Sequence, residues 1–207
     1  LFWPRFASMP MIDFFLSAMH VAPERIAQED KRNRWLADLP LPQRHEPPYA
    51  LLCANASTPV RSIPDSARVK IVERMSEAFD LPVLGFGTVN HPHYRDISTE
   101  SRDTDTFLAW IKHARYVVTS DTAALHIAAG FDVPATAIFT TIAASLRARD
   151  YANCVSIDLR LPHLEGVHAS AHKQDLDALE RAYRDYDWRA MPSAAHDGHR
   201  RLLLENR

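Results

Sequence analysis

The sequence predicts an α/β protein with a Rossmann-like, doubly wound parallel sheet covered by helices. Three observations lead to this prediction. Short apolar runs of strand length alternate with longer segments of helical spacing through the middle of the chain. A run at residues 116–118 leads through small polar residues into a helix-forming segment at 123–129. Of the 207 residues, 46% are hydrophobic, which is enough to fill a core between a sheet and its helices.

The predicted strands are short apolar runs, often β-branched or aromatic, that lie between turn residues. Pro134 comes near the start of one of them, where a proline disturbs a sheet least. Because helical segments separate the runs, we expect parallel strands joined by right-handed crossovers. The predicted strands are residues 49–54, 81–86, 116–118, 133–139 and 154–157.

The predicted helices carry apolar residues at helical spacing. Pro64 and Asp65 open the second of them, and Thr104 or Asp105 is expected to cap the third. Gly130 is expected to end the fourth, as glycine often does at a helix C-terminus. Apart from the helix that starts at 64–65, they are residues 11–21, 103–114, 123–129 and 174–186. Residues 87–101 are expected to form a loop, and residues 140–150 a loop or a short helix.

Composition excludes several classes of function. The formal charge of −2 gives no electrostatic case for binding nucleic acid. The two cysteines, Cys53 and Cys154, form neither a disulfide framework nor a zinc site, so a reducing compartment such as the cytoplasm is expected. No apolar run approaches the roughly 20 residues that a membrane-spanning helix needs.

The most informative stretch is the turn between the strand at 116–118 and the helix after it. Ser120, Asp121 and Thr122 are small polar residues, and any of them can cap that helix. A helix N-terminus at the carboxyl edge of a parallel sheet is where α/β proteins bind anions, because backbone N–H groups and the helix dipole point there. The alternative is that Asp121 only caps the helix.

This stretch also carries a family resemblance. Residues 120–129, followed by 133–139, resemble the D-T-G-x-x-H-[LI]-A-A…P-[TV]-x-x-[LI]-F signature of the ADP-heptose:lipopolysaccharide heptosyltransferases, glycosyltransferase family nine. Ala123 stands where the family has glycine, which leaves room for a different donor. The resemblance covers about residues 49–157. It implies the C-terminal, donor-binding half of an enzyme with the GT-B architecture.

The resemblance also implies roles for residues of the motif. Thr122, with the backbone N–H groups of Thr122, Ala123 and Ala124, would meet the pyrophosphate of a nucleotide sugar, and Asp121 would face the sugar. His126 would lie near the phosphates, although a histidine that only hydrogen-bonds within the core is an open alternative.

A second segment, Ser57-Thr58 followed by Arg61, resembles the small polar loop and K-x-W-P motif of the same family. Arg61 stands where the family has lysine. Sugar transfer leaves a nucleoside diphosphate with extra negative charge, and an arginine can hold that charge through two donors. The hydroxyls of Ser57 and Thr58 would add further donors. The alternative is an arginine of a solvated loop.

No metal or other cofactor is expected. His91 and His93 lack a third and fourth ligand at recognisable spacing, and the resemblance implies a family that needs no metal. Arg147 and Arg149 lie in the loop after the fourth predicted strand, where the family closes over its substrates. Either of them is a further candidate for a phosphate contact.

The resemblance also divides the chain. Residues 1–48 would be the end of a missing N-terminal domain plus a connector, residues 49–190 the donor-binding domain, and residues 191–207 a loosely held tail. The first residue, Leu1, is not methionine, which is expected of a fragment, a processed chain or an incomplete reading frame. In the family the catalytic base is an aspartate of the missing domain, so this chain alone is expected to lack it.

The predicted function is transfer of a sugar, with inversion, from a nucleotide sugar to a lipopolysaccharide or another glycan. ADP-heptose is the donor by analogy. Such an enzyme would work in the cytoplasm and could contact the inner face of the membrane. Two alternatives stay open: another enzyme of this architecture, acting on a different nucleotide sugar or as an epimerase, and a non-catalytic nucleotide-binding module.

Overall fold

The computed structural model describes residues 8–192 and contains one sheet of six parallel strands in that range. The strands are β1 (Ala50–Cys53), β2 (Val83–Gly85), β3 (Tyr94–Asp96), β4 (Tyr116–Ser120), β5 (Ala135–Phe139) and β6 (Cys154–Asp158). Their order across the sheet is β3-β2-β1-β4-β5-β6. This confirms the predicted α/β class with a doubly wound parallel sheet.

Helices cover both faces of this sheet. The α-helices of the described range are α1 (Met11–Ala18), α2 (Asp65–Phe79), α3 (Thr104–Lys112), α4 (Ala123–Gly130) and α5 (Lys173–Asp185), and the last four cover the sheet. On one face, α2 and α5 bury residues such as Ile71 and Tyr183 in a common core. On the other face, α3 and α4 bury Trp110 and Ala128. The fold therefore has three layers with the sheet in the middle.

The strand β3 was not predicted, and it lies within residues 87–101, which were expected to form a loop. Its three residues include two charged ones and are partly or fully exposed, so they show no apolar pattern. Backbone pairing defines this edge strand instead, because Val83 N donates to His93 O at 2.9 Å and Ile97 N to Gly85 O at 2.9 Å.

Gly130 has a different role from the one expected. It is the last residue of α4, but the residue with a left-handed backbone is Asp132, with a φ of 60°. A Cβ on Gly130 would lie 2.7 Å from Asn33 O and 2.7 Å from Leu36 Cδ1. Glycine is therefore required here because the 3-10 turn at Arg34–Asp38 packs directly against the end of α4.

The third helix is also capped differently. Asp103, rather than Thr104 or Asp105, is its N-cap, and its carboxylate accepts a hydrogen bond from Thr106 N at 2.8 Å. The hydroxyl of Thr106 accepts in return from Asp103 N at 3.3 Å. This reciprocal pair starts α3 one residue after the aspartate.

Parts of the predicted connector and tail pack on the domain. Arg32 Nη1 donates to Ala129 O of α4 at 3.4 Å, and Asp13 of α1 pairs with Arg149 at 2.9 Å. Met191 is buried, and Pro192 O accepts a hydrogen bond from Thr136 Oγ1 at 2.9 Å, so the first two residues assigned to the loose tail lie against the sheet. The rest of that predicted tail, residues 193–207, lies outside the described residues.

The strand order creates a crevice at the carboxyl ends of the central strands. The chain leaves β1 towards β2 on one side and returns to β4 on the other, so β1 and β4 are neighbours at the topological switch point. Cys53 and Thr119 are register partners there, which brings the loops that follow the two strands together. In doubly wound sheets, ligands bind in the crevice between such loops.

Candidate functional site

A cavity of about 660 Å³ opens at the carboxyl ends of β1 and β4. Its wall is formed by the loop after β1, the start of α4, the end of β2 and the segment after β5, together with residues of α1, α3 and the segment before α5. The volume is in the range of small-molecule sites. Six of the residues predicted as donor-binding line this cavity: Ser57, Arg61, Asp121, Thr122, Ala123 and His126.

Arg61 is held by three groups. Its Nη2 donates to Ser57 Oγ at 2.6 Å, its Nε to Thr58 Oγ1 at 3.2 Å, and its Nη1 to Asp121 O at 3.2 Å. Thr58 does not line the cavity, but its hydroxyl also donates to His168 O at 2.9 Å. The side chain of Arg61 is 18% exposed, so it is not an arginine of a solvated loop.

The sequence left open whether Asp121 faces a ligand or only caps α4, and in the structure Thr122 takes the capping role. Thr122 is the N-cap of α4, and its hydroxyl accepts from Ala124 N at 3.2 Å. The capping alternative for Asp121 is therefore wrong. The Asp121 carboxylate is buried, and its Oδ2 lies 3.6 Å from Arg61 Nη1. Ala123, the next residue, is exposed on the cavity wall.

His126 lies one turn into α4, where its ring contacts both a buried tyrosine and the cavity. Its Nδ1 is hydrogen-bonded to Tyr151 Oη at 2.7 Å, whereas the ring is partly buried and borders the cavity. Burial lowers the pKa of this imidazole, Arg147 lowers it further, and Asp121 opposes the shift. The ring is therefore neutral at pH 7.

Arg147 and Arg149 have separate roles. Arg147 lines the cavity and is 5% exposed, and burial lowers the pKa of its guanidinium against the opposing effect of Asp121. Arg149 is not part of the wall. It forms ion pairs with Asp13 of α1 at 2.9 Å and with Asp150 at 3.0 Å, so of the two only Arg147 is placed to meet a ligand.

His168 is a cavity residue that the sequence did not indicate. It lies in the segment between β6 and α5, where the sequence shows neither a motif nor a period. Its pKa is lowered by burial and by the positive charges of Arg147 and Arg61. Only the folding of this segment back over the loop after β1 brings the ring to the cavity.

The opposite part of the wall is aromatic. Phe86, after β2, and Phe107, from α3, line the cavity with ring centroids 5.2 Å apart. Asn55 stands beside them, and its Nδ2 donates to Phe86 O at 3.2 Å. The cavity thus has an apolar part and a cationic part.

The cationic part suits an anion. Arg61 and Arg147 bring two positive charges, whereas Asp121 brings one negative charge. The first turn of α4 adds the partial positive charge of a helix N-terminus. A diphosphate that meets Arg61 and this helix end at once would be held by charge-assisted hydrogen bonds.

Neither a metal site nor a membrane span emerges from residues 8–192. No group of three or more His, Cys, Asp or Glu side chains in this range could hold a metal ion, and His91 and His93 are exposed or nearly so, with ring centroids 5.6 Å apart. None of the helices in the same range is both long and apolar enough to cross a membrane.

No protein-family model matches the chain, and no curated protein matches it either. Solved structures that align with it include E. coli ADP-heptose lipopolysaccharide heptosyltransferase II, at 18% identity and a TM-score of 0.48, over 68% of this chain and 48% of that one. E. coli heptosyltransferase WaaC with ADP-2-deoxy-2-fluoro heptose aligns at 12% identity and a TM-score of 0.46, over 94% and 54%. The chain spans about half the length of each of these two proteins.

Proposed function

We propose that this chain is the donor-binding part of a glycosyltransferase. In this proposal the cavity binds the nucleoside diphosphate of an activated sugar, and ADP-heptose is the donor implied by the motif at residues 120–139. The complete enzyme would transfer the sugar, with inversion, to a lipopolysaccharide or another glycan. One observation carries the proposal: Arg61 and the N-terminus of α4 face one cavity at the topological switch point of the sheet.

The arrangement of Arg61 suits the chemistry of transfer. Breaking the bond between sugar and phosphate adds negative charge to the leaving diphosphate, and groups that are already oriented towards that charge lower the barrier. Ser57, Thr58 and Asp121 hold the guanidinium in place without a ligand. No large reorganisation would then be needed when the charge develops.

The aromatic part of the wall would take the base of the nucleotide. The rings of Phe86 and Phe107 offer apolar contact, and Asn55 lies beside them. In this orientation the diphosphate reaches Arg61 and Thr122, and the sugar extends towards Asp121. The catalytic base and the acceptor site would belong to a further domain, so we expect this chain alone to bind the donor and transfer nothing.

The remaining expectations stay proposals. The reaction would need no metal, would take place in the cytoplasm and could bring the enzyme to the inner face of the membrane. A second candidate function is the use of a different nucleotide sugar. It is favoured by the exposed methyl group of Ala123 on the cavity wall, where the resembling family has glycine.

A thermal-shift titration of the full chain with ADP, UDP, GDP and ADP-heptose tests the proposal. A ligand at about 100 times its dissociation constant should stabilise the fold by about 2.7 kcal/mol, which raises the melting temperature by several degrees. We expect adenine ligands to do so. A response to UDP or GDP alone would favour the second candidate, and no response to any nucleotide would contradict both.

A further inference from the structure

Tyr151 is a buried residue outside the cavity wall that contacts a residue of the wall. Its phenol is 5% exposed, and its Oη lies 2.7 Å from Nδ1 of His126, with the two rings edge to face at a centroid distance of 5.7 Å. Among residues 8–192, His126 is the one hydrogen-bond partner of the Tyr151 hydroxyl. Which nitrogen of His126 carries the proton depends on the direction of this hydrogen bond.

The direction of this hydrogen bond follows from what each group can do. Burial raises the pKa of Tyr151, so its oxygen keeps its proton at neutral pH. A buried O–H without an acceptor is unfavourable, and a neutral imidazole has one nitrogen that accepts and one that donates. If the phenol donates to Nδ1, its proton is satisfied and the imidazole proton must lie on Nε2.

On balance, the surroundings of His126 favour a neutral ring. Arg147 on the segment after β5 opposes a positive charge on the ring, and Asp121 at the start of α4 favours it, but burial prevails and keeps the ring neutral. Arg61 and His168 line the same cavity from the loop after β1 and the segment before α5. Since Nδ1 is engaged by Tyr151, Nε2 is the nitrogen left to meet a ligand.

We propose that Tyr151 is a positioning residue that holds His126 as the neutral Nε2–H tautomer, so that His126 donates a hydrogen bond to a phosphate oxygen in the cavity. The ligand half of this inference rests on the proposed function. The tautomer half concerns the unliganded protein and stands apart from it.

Heteronuclear NMR of the full chain with labelled histidine tests the tautomer at neutral pH, and His126→Gln identifies which signals belong to His126. We expect a bare nitrogen at Nδ1 and a protonated one at Nε2. Protonation at Nδ1, or a mixture of tautomers in the native protein, would overturn the inference without the need for any tyrosine variant.

The tyrosine variants test the positioning role. Tyr151→Phe should mix the tautomers and weaken ADP binding by roughly 2- to 10-fold, the effect of losing one hydrogen bond. Tyr49→Phe is the matched control, because it also removes a buried hydroxyl, one that donates to Trp110 O at 2.7 Å and lies outside the cavity wall. It should change neither the tautomer nor the affinity.

Two further results separate the parts of this inference. An unchanged His126 spectrum in Tyr151→Phe would overturn the positioning role of the phenol. If the native chain shows the Nε2–H tautomer but binds no nucleoside diphosphate, the proposed function fails, and the donated hydrogen bond to phosphate fails with it, whereas the tautomer itself is confirmed and the role of Tyr151 is decided by Tyr151→Phe.

Discussion

Nη1 of Arg61 lies 3.2 Å from the carbonyl oxygen of Asp121, although the two residues are 60 positions apart in the chain. The contact joins the loop after β1 to the loop after β4 at the point where the strand order reverses. It places a guanidinium beside the N-terminus of α4, and the first two predictions below depend on that placement.

Replacement of Arg61 should weaken nucleoside diphosphate binding more than it weakens the fold. Arg61→Ala removes hydrogen bonds from a charged donor, each worth about 1.5–3 kcal/mol, so we expect ADP affinity to fall by roughly 10- to 100-fold. Arg61→Lys keeps the charge but loses the bidentate geometry, so its ADP affinity should lie between that of the native chain and that of Arg61→Ala. Isothermal titration calorimetry measures both.

The matched control for this series is Arg95→Ala. Arg95 pairs with Glu46 and Glu100, is 44% exposed and lies outside the cavity wall. It should leave ADP affinity unchanged. Equal losses in Arg61→Ala and Arg95→Ala would show that general charge, rather than the site, governs binding.

Asp121→Asn should separate the diphosphate from the sugar. The change removes a negative charge beside Arg61 at 3.6 Å, so ADP alone should bind as tightly as before or more tightly. A nucleotide sugar should bind about tenfold more weakly if the carboxylate accepts from sugar hydroxyls. Competition binding of ADP against ADP-heptose gives the ratio. A parallel loss of both ligands would exclude a sugar contact by Asp121.

Gly130→Ala should destabilise the protein, although alanine is the better helix former. Helix propensity alone predicts a gain of about 1 kcal/mol. The added Cβ would lie 2.7 Å from the backbone oxygen of Asn33, and overpacking of this kind costs about 1–3 kcal/mol. The free energy of unfolding, measured in urea, decides between the two by its sign. A stabilised variant would mean that the segment at Arg34–Asp38 does not pack closely against α4.

His126 should make the stability of the fold depend on pH below neutrality. Its pKa is lowered in the folded state, chiefly by burial, so the unfolded chain binds more protons as the pH falls below the ordinary value of about 6.5. The stability that the neutral ring contributes is complete above that pH. It is lost as the pH falls towards the lower folded-state pKa, by about 1.4 kcal/mol for each unit of lowering.

Urea unfolding at about pH 7.5 and about pH 5.5, on either side of that ordinary pKa, measures this dependence. His126→Gln should show a smaller difference between the two conditions, because glutamine does not titrate. Both the native chain and the variant keep contributions from His113 and His168, because burial lowers the pKa of each of these two rings as well. Identical pH dependence in the native chain and the variant would contradict the lowered pKa of His126.

The local pattern was sufficient for most of the elements. Apolar runs located five of the six strands. In four of them, β1, β2, β4 and β5, every residue is buried, and burial on both sides of a parallel sheet leaves a continuous apolar signal in the sequence. It missed β3, an edge strand whose partly exposed and charged residues leave no such signal. The reason for Gly130 was also missed, since it depends on residues about a hundred positions earlier that pack against it.

The candidate site divides in the same way. Its motif residues, such as Thr122 and His126, could be named from the sequence because they occupy one turn and one helix. Arg147 was a candidate only together with Arg149, through the resemblance, and His168 was not indicated at all. The approach of both cavity residues to Arg61 depends on how the chain returns across the sheet. No local pattern could have predicted the Tyr151–His126 hydrogen bond, which joins α4 to the segment after β5.

The sequence by itself determined the α/β class, the positions of most elements and a helix N-terminus suited to an anion, because these depend on residues close together in the chain. Only the tertiary structure decided the strand order, and with it the meeting of the loops after β1 and β4 at one cavity. Which distant segments become neighbours depends on how both faces of the sheet are covered, and the spacing of residues along the chain does not carry that information.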